Sequence, residues 1–406
     1  MSLLPSKKSN GTERKAKPET DKAAAPSTPR SSNFELLRII AMLAIVAFHM
    51  SVYSQIPDRG AFFAEQHNIN ASWIRYLNTF GFYGNFIFML LSGYFLVDKR
   101  FKGFAIVKII LEMWFYSILI IYILIAAGAP AREAILDTDL LFPLYHGNNW
   151  YISNYLIVYC LSDLLNAAVK NTRRGLLFII LLFAMAVQFD FGFFFIHRMP
   201  VGKNIDTGRL TCFILLYMIG AFIKEYADDK KYCGKIYINI PLILYLLWRA
   251  SKEIVFIDDI MFDVRVFFAA LLTFMTFKKI DIGSSKVINL IGSTTLGIYL
   301  LHENPMTYEL IWIYTLKVGD HAREKTFIPF SLLCAVGVFL VCMVLDLVRI
   351  RYFVGPLRKY ALPRIKPVSD NAKARIKQVA DKCVKMISRI LDTVSERESA
   401  RKNKEE

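Results

Sequence analysis

Apolar stretches about as long as a bilayer-crossing helix recur along this chain, separated by short polar breaks. They cover residues 34–53, 76–97, 104–127, 150–168, 176–196, 209–226, 236–250, 262–277, 287–304 and 327–349. Crossing roughly 30 Å of hydrocarbon takes roughly 20 mostly apolar residues. Lipid offers no partners for a bare backbone, so each span should be a helix. The pattern predicts an all-α fold, a polytopic membrane helix bundle of about ten transmembrane helices. The stretches at 150–168 and 236–250 are short or polar, which leaves nine or eleven open. Three regions follow: a polar tail at 1–33, a transmembrane domain at 34–349 and a basic tail at 350–406. The first tail is rich in Ser, Lys, Pro and Thr and is expected to be disordered. In the second, Ile376, Val379, Cys383, Met386, Ile387, Ile390 and Val394 recur at helical spacing. That spacing predicts an amphipathic helix on the inner leaflet.

Composition agrees with a membrane solvent. The 406 residues are 55% apolar, above the 45–50% of a soluble chain, and only 21% charged. Much of that charge lies in the tails, so the middle is more apolar than the average. Lys7, Lys8, Arg14, Lys15, Lys17, Lys22 and Arg30 precede the first span, and the tail after the last is richer still. Basic flanks stay in the cytoplasm, so both termini are expected there, with an even number of spans in a multi-pass cell-membrane protein. The loop after span two carries Lys99, Arg100 and Lys102, and the loop after span six Lys230, Lys231 and Lys235. The net charge of +16 belongs to these lipid-facing flanks and not to a nucleic-acid partner. The lipid bilayer itself is the expected partner. The six cysteines have no metal-site spacing, and neither a metal nor a permanently bound cofactor is expected. A P-loop, a nucleophile elbow, a zincin helix and a Rossmann fingerprint are all missing from the sequence.

Ionisable groups inside spans are costly, so each is a functional candidate. Span one holds Arg38 and His49, eleven positions apart. At 100° per residue that is about three full turns, so both point to one face, about 16 Å apart along the axis. Arg38 falls near the cytoplasmic boundary and His49 past the midplane. Arg38 alone reads equally as a snorkelling flank residue, and His49 as an interface histidine. Together they suggest a cavity with a cation that holds an anion and a base that acts deeper in. In span two, Ser92 and Gly93 permit close helix approach, and the Lys99–Arg100–Lys102 cluster reads as a cytoplasmic loop or as a phosphate clamp near Arg38. Asn149, Trp150, Tyr151, Asn154 and Tyr155 crowd the start of span four. An aromatic belt explains the rings, whereas rings and amides together would suit a sugar. Asp163, deeper in that span, should face the bundle. His302 and Glu303 end span nine at the outer boundary, the carboxylate steadying the imidazole. Glu112 has no evident partner.

These residues resemble the acyltransferase family 3 integral membrane acyltransferases, in a form closest to that of Gram-positive bacteria. The likeness runs from about 33 to 350. It rests on Arg38 and His49, FMLLSGYF in span two, NWYISNYLIVY in span four, LLYMIGAFIK in span six and TTLGIYLLHENP in span nine. One departure is Asp163, where the family commonly has proline. The resemblance implies an O-acyltransferase that takes an acetyl group from acetyl-CoA, or another acyl-CoA, to a carbohydrate hydroxyl on exopolysaccharide, cell-wall glycopolymer or glycolipid. It implies that Arg38 and His49 are essential. It also implies that Lys99, Arg100 and Lys102 serve the donor. On this reading the acceptor lies against Asn149, Trp150, Tyr151, Asn154 and Tyr155, with Ser92, Gly93, His302 and Glu303 in support. The alternative is a secondary transporter of an anionic metabolite or glycan precursor, using the same cation and histidine.

Overall fold

The computed structural model describes residues 31–65, 67–126, 149–189, 200–201, 205–253 and 263–356. Both tails, apart from residues 31–33 and 350–356, and the amphipathic helix expected over 376–394 lie outside the described residues. Fifteen α-helices are seen among those described: α1 (Ser32–Tyr53), α2 (Arg59–Ala64), α3 (Ile69–Asn78), α4 (Phe80–Leu96), α5 (Gly103–Ala126), α6 (Trp150–Cys160), α7 (Ser162–Asn171), α8 (Arg174–Gln188), α9 (Thr207–Tyr226), α10 (Ile236–Glu253), α11 (Val264–Lys279), α12 (Lys286–Gly292), α13 (Thr295–His302), α14 (Pro305–Glu309) and α15 (Phe327–Arg349). The described strands are a two-residue antiparallel pair, Pro200–Val201 with Ile205–Asp206.

Every one of the ten apolar stretches contains helix, but not every one is a straight span. Four helical segments are long and apolar enough to cross a membrane: Ser32–Tyr53, Ile69–Leu96, Gly103–Ile123 and Phe327–Val354. A fifth qualifies if α6 and α7, bent by 55° at their junction, count as one. The stretch at 287–304 is likewise divided, into α12 and α13. The outer faces are apolar, as a lipid solvent requires. Leu111, Ile118 and Tyr122 of α5, Phe178, Ile179 and Phe183 of α8, and Leu333, Val341 and Val344 of α15 are all exposed. A soluble monomer rarely leaves so much contiguous apolar surface in water.

Helix α1 runs through the middle. Its start is pinned: Ser32 Oγ donates to Asn289 Oδ1 at 2.9 Å and Asn33 Nδ2 to the Phe277 carbonyl at 2.8 Å. Its neighbour α4 crosses α9 with backbones in contact. A methyl at Gly93 would lie 2.7 Å from the Tyr217 carbonyl carbon and 3.0 Å from the Ala221 nitrogen; one at Gly220 would lie 3.0 Å from the Leu90 carbonyl carbon. Gly93 is thus a packing residue, as small residues between membrane helices commonly are. Near the loop after α9, Tyr94 of α4 and Lys224 of α9 both donate to Asp228, with Lys278 of α11 3.6 Å away. Burial pushes the Asp228 carboxyl up, but these hydrogen bonds outweigh it and hold the group below its usual range.

Two details depart from the sequence expectations. Asp163 does not face the bundle: the helix breaks after Cys160, so Asp163 is exposed in the first turn of α7 and accepts from the Phe101 N–H at 2.8 Å. Glu112 has partners after all. Arg349 donates to Glu112 at 2.6 Å and to Asp346 at 2.7 Å, and Tyr116 also donates to Asp346. This buried cluster ties α5 to α15, and Gly297 of α13 packs against Asp346 and Tyr116.

Candidate active site

Two cavities meet along α1. The first, about 260 Å³, is lined by Arg38, Met42, Phe88, Ser92, Tyr155 and Thr295 among others. The second, about 150 Å³, is lined by His49, Tyr53, Trp150, Arg209 and Glu303 among others. Ile45, Asn85, Tyr151 and Tyr299 belong to both linings, so the two cavities share one wall. Arg38, Met42, Ile45 and His49 thus form one lined face of α1, from the cation at one end to the histidine at the other. The eleven-residue spacing that puts Arg38 and His49 on one face is what builds it.

At the Arg38 end, the guanidinium donates to Glu35 at 2.6 Å and lies 5.7 Å from the centre of the Phe95 ring. Glu35 is buried against Gly292. One N–H of the fork is thereby occupied and the arm is held in place, and a guanidinium has five.

At the other end, His49 Nδ1 lies 2.9 Å from His302 Nε2 and 2.9 Å from Glu303 Oε2. The tautomers follow from what His302 touches on its far side. Its Nδ1 lies 2.6 Å from the Ile298 carbonyl, which can only accept, so Nδ1 carries the proton and Nε2 the lone pair. His49 Nδ1–H then donates to His302 Nε2, which leaves His49 Nε2 as the basic nitrogen. Among the described residues, Glu303 Oε2 has no well-directed hydrogen bond despite its closeness to His49, so its role toward His49 is electrostatic. Tyr53 donates to the other Glu303 oxygen at 2.9 Å and stacks on Tyr308. An imidazole with a carboxylate beside Nδ1 can take up a proton at Nε2 and be stabilised as the imidazolium without leaving the site.

The donor atoms of His49, His302 and Glu303 lie within 4.8 Å of one another, as metal ligands could. Ligands at 2.0–2.1 Å from a tetrahedral zinc would sit about 3.3 Å apart. The two separations of 2.9 Å at His49 suit hydrogen bonds better.

A family model described as an acyltransferase domain matches residues 31–347. The chain belongs to acyltransferase family 3. It is thus a membrane acyltransferase, as the five sequence blocks implied. No curated protein and no solved structure matches it.

In this acyltransferase the two cavities take up only part of the expected residue set. Trp150 and Tyr151 line the His49 cavity. Tyr155 lines the Arg38 cavity instead, together with Ser92. Asn149 and Asn154 line neither; Asn154 is buried and donates to the Trp150 carbonyl at 2.7 Å, which fixes the first turn of α6. Lys99, Arg100 and Lys102 are exposed and line neither cavity. The reason is local: Asn166 donates to the Leu96 carbonyl and Asp163 accepts from Phe101, so this loop is docked on α7. His302 is more central than its place at the span end suggested, since it is fully buried against His49.

Sequence reasoning passed over Asn85, Tyr299 and Arg209. Arg209 lies over the Trp150 ring at 4.7 Å in the His49 cavity. Asn85 had a visible signal, as an amide in the apolar run of span two. Tyr299 had one too, three residues before His302 and so on its face of the helix.

Proposed function

We propose that this acyltransferase moves an acetyl group from cytoplasmic acetyl-CoA to a hydroxyl of a surface or extracellular carbohydrate. The observation that carries the reading is the shared wall between the Arg38 and His49 cavities. A soluble, polyanionic donor needs a cation at its mouth, a path for its thioester and a base at the end, in that order. The proposed enzyme spans the cell membrane about ten times with both termini in the cytoplasm.

Arg38 holds a donor phosphate by the N–H groups that Glu35 leaves over. Lys99, Arg100 and Lys102, on their exposed loop, add longer-range attraction. The thioester lies along Ser92, Thr295 and Tyr155. The sugar enters at the His49 cavity, against the faces of Trp150 and Tyr151. His49 Nε2 takes the proton of the acceptor hydroxyl, and the oxygen attacks the thioester carbonyl carbon. The carbon–sulfur bond then breaks, and the departing thiolate takes up the proton His49 received. Glu303 stabilises the imidazolium in between.

Purified protein in vesicles, given acetyl-CoA and a mixture of glycans, tests the reading. Free CoA should appear only when an acceptor is present. Arg38→Ala should weaken acetyl-CoA binding roughly 10- to 100-fold, the equivalent of one charge-assisted contact. Accumulation of solute in the vesicles without CoA release would instead favour a transporter, and unchanged donor affinity in Arg38→Ala would move the phosphate site elsewhere.

A further inference from the structure

The shared wall holds two polar side chains whose place the proposed chemistry has not used. Tyr299 is buried, and its hydroxyl has no hydrogen-bond partner among the described residues. Nothing in the local fold demands an oxygen there. The ring packs against Tyr151 at 6.1 Å and edge-on to His302 at 6.2 Å, contacts that a phenylalanine would make equally. A buried donor left unpaired destabilises a fold unless a ligand or water supplies the acceptor. Asn85, from α4, also lines both cavities. Its amide carries two N–H donors. Both side chains therefore lie where contents of the Arg38 cavity meet contents of the His49 cavity.

Resting on the acyl-transfer reading, we infer that Tyr299 and Asn85 form the oxyanion hole of this enzyme. When the acceptor oxygen bonds to the thioester carbon, the carbonyl electron pair moves onto the carbonyl oxygen. That oxygen becomes an anion until the pair returns and expels the thiolate. In the wall it meets the Tyr299 O–H and the Asn85 N–H₂. Both side chains are buried, and preorganised hydrogen bonds to developing charge are among the largest single contributions to catalysis. The pair also accounts for why an unpartnered hydroxyl persists in an apolar helix: its partner exists only during turnover.

The test compares wild type with Tyr299→Phe, Asn85→Ala and the double variant in vesicles, using acetyl-CoA and an acceptor glycan. Three quantities are read: acceptor-dependent CoA release, acetyl-CoA affinity and thermal unfolding. Each single variant should lower kcat about 10²-fold, within the span seen for removal of one oxyanion donor. Acetyl-CoA affinity should be unchanged. Tyr299→Phe should melt at or above the wild-type temperature, because no hydrogen bond within the protein is lost. Wild-type kcat in Tyr299→Phe would overturn the inference. So would a fall in kcat that travels with equal falls in donor affinity and melting temperature, since that marks a packing residue. A wild type that releases no CoA with any glycan would fail the acyl-transfer reading itself, a result separate from either.

Discussion

Replacing Glu303 with Gln isolates the electrostatic part of the base. The substitution keeps shape and leaves Tyr53 a partner, but removes the negative charge 2.9 Å from His49 Nδ1. That charge favours the imidazolium that forms as the acceptor hydroxyl gives up its proton. Even without a well-directed hydrogen bond, this close contact is taken at about 1.5–3 kcal/mol, the range for contacts to charged groups. At 1.36 kcal/mol per decade this predicts a fall in kcat of roughly 10- to 150-fold. His49→Ala removes the base itself and should cost roughly 10²–10⁴-fold. His302→Ala removes only the neutral acceptor of the His49 N–H, worth about 0.5–1.5 kcal/mol, so a loss of roughly 2- to 13-fold is expected. The assay is the initial rate of acceptor acetylation by vesicles holding equal amounts of each folded variant, with melting curves alongside because His302 is fully buried. The order of severity should be His49→Ala, then Glu303→Gln, then His302→Ala. Retention of more than about a tenth of the activity by His49→Ala would make that histidine structural. A wild-type rate in Glu303→Gln would refute the electrostatic argument, and a His302→Ala worse than His49→Ala would move the base to His302.

Gly93→Ala sets a methyl against the Tyr217 carbonyl, where backbone cannot give way as a side chain would. It should cost at least about 1–3 kcal/mol, the usual penalty of overpacking, and an unchanged melting temperature in detergent would refute the close crossing of α4 and α9. Arg349→Ala strands Glu112 and Asp346 without their cation, so a loss of about 3–5 kcal/mol is expected. Adding Glu112→Gln should recover part of that loss, and the same melting curves would show whether it does. If His49 and His302 form a hydrogen-bonded pair beside Glu303 and not a metal site, purified protein should carry less than stoichiometric zinc by elemental analysis and keep its activity after chelation.

Much of the architecture was legible because a membrane allows the chain few options. All ten apolar stretches contain helix among the described residues, and the spacing of Arg38 and His49 was enough to place them on one lined face. Periodicity could not show where helices break. The 55° bend at Leu161 turned Asp163 outward and docked the basic loop on α7, away from the cavity. Contacts between distant segments were also hidden. Neither the meeting of His49 with His302 nor that of Glu112 with Arg349 has a local signature, since each joins helices more than two hundred residues apart. Asn154 misled for a different reason: a polar residue at a helix start serves the backbone as readily as a ligand.

The wall shared by the two cavities has an electrical consequence. Water entering a cavity carries the potential of its own side inward, so the voltage across the membrane falls over whatever closes the gap. Under the proposed topology, with the two cavities open to opposite sides, that is Ile45, Asn85, Tyr151 and Tyr299, a thickness of side chains in place of a full bilayer. Moving one unit charge through 100 mV involves about 2.3 kcal/mol. An acetyl group is uncharged and passes such a barrier without electrical work, while the phosphates of its carrier never have to enter the field. Under the proposed topology the single charge that does cross is the proton, passed from the sugar hydroxyl outside to the sulfur inside. A membrane held negative within therefore pulls the reaction forward, although nothing in its overall chemistry looks like transport.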